Sequence, residues 1–285
     1  MGVYVVTGAA SGMGQQAATK LRAQGHTVIA VDVKEGDIEA DLSTADGRQS
    51  AADQVLARSN RLDGAVLAAG IGPTPGKDST RRIFEVNYRG VVDLLQAWRP
   101  ALAATERAKV VVIGSNSTTT TPAVPRRTVR ALLDGDTDKA VRSLKLLGPA
   151  VPSLGYAASK IAVSHWVRRT AVTPQWAGAG IRLNALAPGA IMTPLLEKQL
   201  ATPREAKAVN AFPVPVGGFG DPAQLADWML FMLSDSADFL CGSIIFVDGG
   251  SDAYFRSRDW PKSVPARRLP SYLWRFQRFN TTKSK

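Results

Sequence analysis

Short apolar runs alternate with longer amphipathic segments along most of this 285-residue chain. The apolar runs are rich in Val, Ile and Leu and end at turn residues, which predicts buried strands, while the longer segments have helical periodicity. The predicted strands are 3–7, 27–32, 62–69, 109–115, 181–187 and 243–247, and the predicted helices are 12–24, 45–58, 80–104, 156–173 and 222–233. Strand and helix in repetition predict an α/β fold, a doubly wound parallel sheet with helices on both faces.

Two segments fall outside this alternation. Residues 116–152 separate a predicted strand from a predicted helix by more than the usual connection. Helical patterns at 126–133 and 136–147 favour a small helical insertion there. Residues 256–285 follow the last strand as a C-terminal extension rich in basic and aromatic residues. We therefore expect residues 1–255 to form a single domain that contains the insertion.

The contents of cysteine and histidine exclude two kinds of site. A single cysteine, Cys241, cannot form an internal disulfide and fits a reducing compartment. Two histidines, His26 and His165, are too few for a zinc site built from His and Cys. The N-terminal segment lacks the pattern of a secretory signal, and no apolar run approaches the roughly 20 residues that span a bilayer. We expect a cytoplasmic protein without a metal.

The net charge of +11 is concentrated in the extension. Residues 256–285 hold nine Lys/Arg and one acid, Asp259, so they carry +8 and leave +3 for residues 1–255. The basic residues of the extension are Arg256, Arg258, Lys262, Arg267, Arg268, Arg275, Arg278, Lys283 and Lys285. Because the rest of the chain is nearly balanced, we expect no nucleic-acid partner for it.

The extension also contains a candidate amphipathic helix. After Pro270, the side chains of Tyr272, Leu273, Phe276 and Phe279 share one face if the segment is helical. Such a basic helix can make contact with an anionic membrane surface. It can equally dock on its own subunit or cover a neighbour's active site, since about a dozen residues are marginal as a free helix.

A glycine-rich turn joins the first predicted strand to the first predicted helix. It reads Gly8-Ala9-Ala10-Ser11-Gly12-Met13-Gly14. Glycines after a strand allow a tight turn and let backbone N–H groups approach a pyrophosphate at a helix N-terminus. The next strand ends at Asp32, 24 residues after Gly8, where a carboxylate can bond a ribose 2′-hydroxyl. The pattern indicates a dinucleotide site, and a tight turn without a ligand is the alternative.

The chain resembles the short-chain dehydrogenase/reductase family. The family pattern Thr-Gly-x3-Gly-x-Gly stands here at Thr7 to Gly14. Further matches, in family order, are Asp41-Leu42, Asn87, Ser115, Tyr156 with Lys160, Pro188-Gly189 with Thr193, and Asp248-Gly249-Gly250. The strongest resemblance within the family is to the bacterial 3α-hydroxysteroid dehydrogenase/carbonyl reductases. The resemblance implies a Rossmann-like NAD-binding oxidoreductase.

The resemblance also implies which residues form the site. Asp41 and Leu42 would hold the adenine, and Ile191 and Thr193 would meet the nicotinamide. The implied cofactor site is Gly8, Ser11, Gly12, Met13, Gly14, Asp32, Asp41, Leu42, Ala69, Gly70, Tyr156, Lys160, Pro188, Gly189, Ile191 and Thr193, and the implied catalytic residues are Ser115, Tyr156, Lys160 and Asn87.

The catalytic residues have distinct expected roles. Tyr156 and Lys160 are four residues apart and share a helix face. Reduction of a ketone needs a proton donor, and an ammonium beside a tyrosine lowers the phenol pKa from its usual value near 10. By the resemblance, Ser115 bonds the substrate oxygen, Lys160 also holds the nicotinamide ribose, and Asn87 organises a water for proton relay. The alternatives are a surface Tyr–Lys pair, Ser117 in place of Ser115, and an Asn87 that only caps or kinks its helix.

The choice between NAD and NADP depends on the end of the second strand. The carboxylate of Asp32 repels the 2′-phosphate of NADP, which Arg or Lys would bind. Ser11 stands where NADP-using relatives often carry a basic residue, and Lys34 is close enough to compete. We predict NAD.

The sequence departs from the family at two places near this site. Residues 67–70 read Leu-Ala-Ala-Gly where relatives commonly have Asn-Asn-Ala-Gly, and Gly114 precedes Ser115 in place of a serine pair. Both departures change the hydrogen-bonding groups available beside the cofactor.

The expected substrate is a hydrophobic secondary alcohol or its ketone. A flexible loop at 189–218, apolar at 213–216, and the insertion should shape its pocket. The resemblance implies a homo-oligomer, with a dimer favoured over a tetramer. The alternative function is an NAD-binding protein whose basic tail tethers it to a membrane surface or nucleic acid, with catalysis secondary.

Overall fold

The computed structural model describes residues 1–73, 76, 78–260 and 263–283, with backbone alone at 204, 205, 208 and 280–283. Two basic residues of the extension, Lys262 and Lys285, lie outside the described residues. The strands are β1 (Val3–Thr7), β2 (Thr27–Asp32), β3 (Ile38–Glu39), β4 (Gly64–Leu67), β5 (Lys109–Ile113), β6 (Arg182–Pro188) and β7 (Ile244–Val247). The helices are α1 (Gly12–Ala23), α2 (Ala45–Arg58), α3 (Ser79–Phe84), α4 (Gly90–Ala103), α5 (Ser117–Thr120), α6 (Arg126–Leu133), α7 (Thr137–Leu144), α8 (Val151–Thr170), α9 (Pro194–Leu200), α10 (Pro203–Asn210), α11 (Pro222–Leu233), α12 (Ser251–Phe255) and α13 (Leu269–Lys283).

The seven strands form one parallel sheet in the order β3-β2-β1-β4-β5-β6-β7. Alternate residues of each strand face opposite sides. Val5 and Val110 belong to the hydrophobic cluster that includes α2, α4 and α8, whereas their neighbours Val6 and Val111 join the cluster with α1 and α11. Because both faces are covered, the strands are almost uniformly apolar. The predicted doubly wound α/β fold is confirmed.

The strand order reverses between β1 and β4. In open α/β sheets, a crevice forms beyond the carboxyl ends of the strands at such a reversal. The glycine-rich turn after β1 and the segment after β4 both lie at this point, so the topology brings the predicted dinucleotide site to the crevice.

Several elements differ from the sequence-based expectation. The predicted helix 80–104 consists of α3, a π-helical turn at Glu85–Arg89 and α4. Helix α8 begins at Val151, five residues before Tyr156, because Pro152 fits the first turn of a helix. The expected flexible loop at 189–218 contains α9 and α10. The two-residue strand β3 is too short to give a periodic pattern.

The insertion forms the expected two helices, α6 and α7, which pack on each other and on α3 and α8. Ala140 and Leu144 of α7 are buried in the core cluster, and the hydroxyls of Thr128 and Ser143 lie 2.6 Å apart between the two helices. A short 3₁₀ turn, Lys145–Ala150, then leads into α8. The insertion is therefore a packed support for the helix that carries Tyr156.

Helix α12 ends at Phe255, just before the extension, and the extension contains the tail helix α13. None of the helices in the described ranges is long and apolar enough to cross a bilayer. The division into a domain at 1–255 and an extension at 256–285 stays a prediction.

Candidate active site

The turn after β1 can be formed only by glycine at two of its positions. Gly8 has φ +69°, and a Cβ there would lie 2.7 Å from the backbone nitrogen of Ala69. A Cβ on Gly14 would lie 2.2 Å from the carbonyl oxygen of Gly8. Without side chains at Gly8 and Gly14, the backbone of the turn packs directly on the start of α1. Ser11, the N-cap residue of α1, makes no side-chain capping bond, so the first N–H groups of the helix remain suited to an anion.

Asp32 braces this turn from the end of β2. Its Oδ2 accepts a hydrogen bond of 2.9 Å from the backbone nitrogen of Ala10, and its Oδ1 accepts one of 2.7 Å from Val33. The carboxylate is only partly buried, so its remaining lone pairs can accept further hydrogen bonds from a ligand.

A cleft of about 250 Å³ lies beside the glycine turn. Of the predicted cofactor residues, Gly8, Ser11, Gly12, Met13, Gly14, Asp32, Asp41, Leu42, Ala69, Gly70 and Thr193 line it. Its described lining also includes residues that the sequence did not single out, namely Val33, Ala40, Ala68, Ile71, Arg82, Val86, Pro194 and Leu195. Lys34 is exposed and does not belong to this described lining. This favours Asp32 over Lys34 as the residue that decides between NAD and NADP.

Asp41 is held as an anion at the edge of the cleft. Its Oδ1 accepts a hydrogen bond of 2.9 Å from the backbone nitrogen of Ser43. Hydrogen bonds from the hydroxyl and backbone of Ser43, together with the nearby Arg82 guanidinium, lower the pKa of Asp41.

The segment after β4 replaces the missing family amides with other hydrogen bonds. The hydroxyl of Thr7 accepts a bond of 3.2 Å from the backbone nitrogen of Ala69. Asn87 bonds both backbone groups of Ile71, accepting from its nitrogen at 2.9 Å and donating to its oxygen at 3.0 Å. The segment is therefore fixed on both sides despite the loss of the amides.

Asn87 is fully buried within the π-helical turn. Besides Ile71, its Nδ2 lies 3.4 Å from the hydroxyl of Ser159 on α8. The side chain thus links the segment after β4 to the helix that carries Tyr156. Asn87 therefore does more than cap its own helix, because its side chain bonds two other segments.

Ser115, Tyr156 and Lys160 come together beyond the end of β5. The hydroxyl of Ser115 forms a hydrogen bond with that of Tyr156 and accepts another, of 3.1 Å, from the backbone nitrogen of Ser117. Lys160 is buried, donates a bond of 2.8 Å to the carbonyl oxygen of Ile113, and its Nζ lies 5.9 Å from the centroid of the Tyr156 ring. Ser115, rather than Ser117, is the serine that meets the tyrosine.

The described lining of the cleft does not include Pro188, Gly189 or Ile191, which the sequence assigned to the cofactor site. A Cβ on Gly189 would lie 2.8 Å from the Cα of Asp248, so the turn after β6 packs closely on the Asp-Gly-Gly motif. Ile191 is buried and forms an isolated parallel bridge with Gly220.

Known protein families match two long segments of the chain. The family described as "short chain dehydrogenase" matches residues 2–125, and the one described as "Enoyl-(Acyl carrier protein) reductase" matches residues 148–252. The chain is 36% identical to a 3-alpha-hydroxysteroid dehydrogenase/carbonyl reductase of Comamonas testosteroni over 90% of its own length and 98% of that protein's. It belongs to the short-chain dehydrogenase family.

Two further relatives of this short-chain dehydrogenase are informative. The chain described here is 30% identical to a cis-4-hydroxycyclohexanecarboxylate dehydrogenase of Sinomonas cyclohexanicum. The match covers 88% of this chain and 96% of that relative. A crystal structure of a 3-alpha-hydroxysteroid dehydrogenase from Pseudomonas sp. B-0831 in complex with NADH has a TM-score of 0.83 and 40% identity, covering 90% of this chain and 100% of that one. The resemblance inferred from the sequence is confirmed.

The protonation of the Tyr–Lys pair in this short-chain dehydrogenase differs from the expectation. Burial raises the pKa of Tyr156, and the Ser115 hydrogen bond lowers it only in part. Burial also lowers the pKa of Lys160 to about 8. The expectation that the ammonium leaves the tyrosine with a lowered pKa is therefore wrong for the protein by itself, because loss of solvent disfavours both charged forms.

The residues that the sequence missed reach the site of this short-chain dehydrogenase through tertiary packing. Ala68 and Ile71 flank two predicted positions, so adjacency along the chain was a usable signal. Arg82 belongs to α3 and Val86 to the π-helical turn, and both line the cleft because of the three-dimensional geometry of these segments. The sequence pattern carries no sign of that geometry.

Proposed function

We propose that the protein is an NAD-dependent oxidoreductase that interconverts a hydrophobic secondary alcohol and its ketone. The observation that carries the proposal is the cluster of Ser115, Tyr156 and Lys160 on the same edge of the sheet as the glycine-lined cleft. Bound NAD supplies the hydride acceptor, and its reduced form the donor. We assign the reaction to residues 1–255.

The residues of the cleft fit NAD. Gly8 and Gly14 allow the tight turn because a Cβ on either would collide with backbone atoms, and the start of α1 suits a pyrophosphate. Asp32 would accept hydrogen bonds from the adenosine ribose and repel the 2′-phosphate of NADP. Asp41, kept anionic, and Leu42 would hold the adenine, while Thr193 would meet the nicotinamide end. The NADH complex of the Pseudomonas relative supports this choice.

The proton chemistry falls to four side chains. In ketone reduction the Tyr156 hydroxyl gives its proton to the developing alkoxide, and in alcohol oxidation the phenolate takes it back. The Ser115 hydroxyl donates a hydrogen bond to the substrate oxygen and orients it toward Tyr156. Lys160, with a pKa of about 8, holds its charge close to neutral pH and stabilises the phenolate as it forms. Asn87 holds the segment after β4 and would position a water for proton relay.

The substrate class follows from the apolar segment at 213–216 and from the relatives. The backbone nitrogen of Val216 bonds the Gly249 carbonyl at 3.0 Å, and the Ser251 hydroxyl bonds the Pro213 carbonyl at 2.7 Å. This apolar segment is therefore fixed on the turn after β7. The hydroxysteroid and hydroxycyclohexanecarboxylate named for the relatives are ring-borne secondary alcohols, and we propose the same class here.

Replacement of the proposed acid/base tests the function directly. Tyr156→Phe should lower turnover of ring-borne secondary alcohols with NAD⁺ by about 10²–10⁴-fold, the usual contribution of general acid–base catalysis. NADH binding, measured by fluorescence titration, should be retained, and NADP⁺ should be a poor substitute for NAD⁺.

A matched control is available in Tyr254→Phe, because that tyrosine is largely exposed on α12. It should leave turnover unchanged. Appreciable turnover by Tyr156→Phe, or equal loss in both variants, would remove Tyr156 from the assigned role.

A further inference from the structure

The tail helix α13 presents a stripe of large apolar side chains. Leu269, Tyr272, Leu273 and Phe276 follow the spacing i, i+3, i+4, i+7, which places them on one helix face. Their exposed fractions are 54%, 50%, 49% and 61%. A face this apolar and this exposed is unusual on a protein surface and marks an interaction site.

The other side of α13 is turned towards the body of the protein. Trp274, Arg275, Arg278 and Phe279 line a groove of about 510 Å³ together with residues 172–178, which follow the helix α8. The Arg278 guanidinium lies 5.0 Å from the centroid of the Trp274 ring. The stripe residues do not belong to the described lining of this groove and are about half exposed, so the apolar stripe faces outwards.

Positive charge lies next to the stripe. Arg267 and Arg268 immediately precede α13 and its first stripe residue, Leu269. Because Asp259 is the one acidic residue of the extension, the surface of the extension is strongly basic. The family matches end at residue 252, ahead of this region.

We propose that α13 binds the surface of an anionic lipid bilayer, with the apolar stripe at the boundary between headgroups and acyl chains and the arginines on the anionic headgroups. The helix has 15 residues, fewer than the roughly 20 needed to cross a bilayer, so it lies in the surface plane. Tyrosine and phenylalanine with leucine on one face and arginines beside them are the composition of such interfacial helices.

Charge and the apolar stripe together favour an anionic bilayer over two other binding partners of α13. A nucleic acid would engage the arginines but leave the apolar stripe in water. A second copy of the chain would bring together two extensions that each carry +8, which opposes association at this face. An anionic bilayer complements both the charge and the stripe.

The experiment is vesicle flotation with the full-length protein. It should float with phosphatidylcholine vesicles that contain about 30% phosphatidylserine and remain behind with pure phosphatidylcholine, and added salt should weaken the binding. The double variant Leu273→Ser/Phe276→Ser should lose flotation. Arg267→Gln and Arg268→Gln should each weaken partitioning about fivefold.

Trp228→Ser/Phe231→Ser is the matched control, because these two aromatic residues are similarly exposed on α11. It should float like the parent protein. Dehydrogenase turnover in detergent-free buffer should be unchanged in the tail variants, so failure of this proposal is distinguishable from failure of the proposed reaction. Absent flotation, equal flotation with neutral vesicles, or a stripe variant that changes only the oligomeric state or DNA binding would overturn the proposal.

Discussion

At the residue scale, burial governs the proposed acid and its neighbour. The same loss of solvent raises the pKa of Tyr156 and lowers that of Lys160, so the phenolate–ammonium pair is disfavoured in both partners. Ser115 works in the opposite direction, because its hydrogen bond favours the phenolate. Burial thus favours the protonated phenol, which agrees with the proton-donor role proposed for Tyr156 in ketone reduction, and we expect oxidation to require higher pH.

Ser115→Ala should move the pH profile of alcohol oxidation. Removal of its hydrogen bond raises the pKa of Tyr156 further, so the rising limb of kcat/KM should shift to higher pH. Ser117→Ala is the control, because the buried Ser117 hydroxyl has no hydrogen-bond partner among the described residues. An unchanged limb in Ser115→Ala, or an equal shift in both variants, would contradict this account.

At the scale of the elements, Arg48 joins three segments beside the cleft. It is buried on α2 and forms ion pairs of 2.9 Å with Glu85 of the π-helical turn and 2.8 Å with Asp93 of α4. It also donates a bond of 3.0 Å to the carbonyl oxygen of Leu42, which lines the cleft. One guanidinium thus fixes the site's edge to two helical segments.

Arg48→Met should therefore lower the free energy of unfolding by about 3 kcal/mol, because it leaves two carboxylates without their buried partner. Urea denaturation measures this loss. Arg22→Met is the control, since Arg22 pairs with Asp37 at the surface, where an ion pair contributes about 0–1 kcal/mol. Equal losses in the two variants would show that the Arg48 network does not stabilise the fold.

The sequence predicted those elements whose signal is local. The glycine turn, Asp32 at the end of β2 and the Tyr–Lys spacing each depend on a few neighbouring residues, and α2, α6 and α11 have the predicted bounds. The π-helical turn and β3 depend on tertiary contacts, as does the approach of Arg82 to the cleft. Periodicity cannot reveal them, because it reports which face of an element is apolar and not what that element meets.

At the scale of the whole molecule, Lys160 makes global stability depend on pH. Its pKa is about 8 in the fold against 10.5 for a solvated lysine, so the unfolded chain binds more protons between these values. Its contribution to the free energy of unfolding therefore rises with pH from about 8 to about 10.5. Below pH 8 the whole cost of burying the ammonium is present.

Lys160→Met should remove that cost and stabilise the protein at pH 7 in the absence of cofactor. The upper limit is about 3 kcal/mol, from the shift in pKa, and loss of the bond to Ile113 offsets part of it. Chemical denaturation at several pH values should show the difference shrinking towards pH 10, with the exposed Lys34→Met as control. A Lys160→Met variant less stable than the parent at pH 7 would show that the bond to Ile113 outweighs burial.

The insertion leads directly into the helix of the proposed acid. The family matches stop at residue 125 and resume at residue 148, and that interval contains α6 and α7. Tyr156 lies within two turns of the start of α8, just after this interval. A change in the length or sequence of α6 and α7 would therefore alter the surroundings of Tyr156 without altering any strand of the sheet.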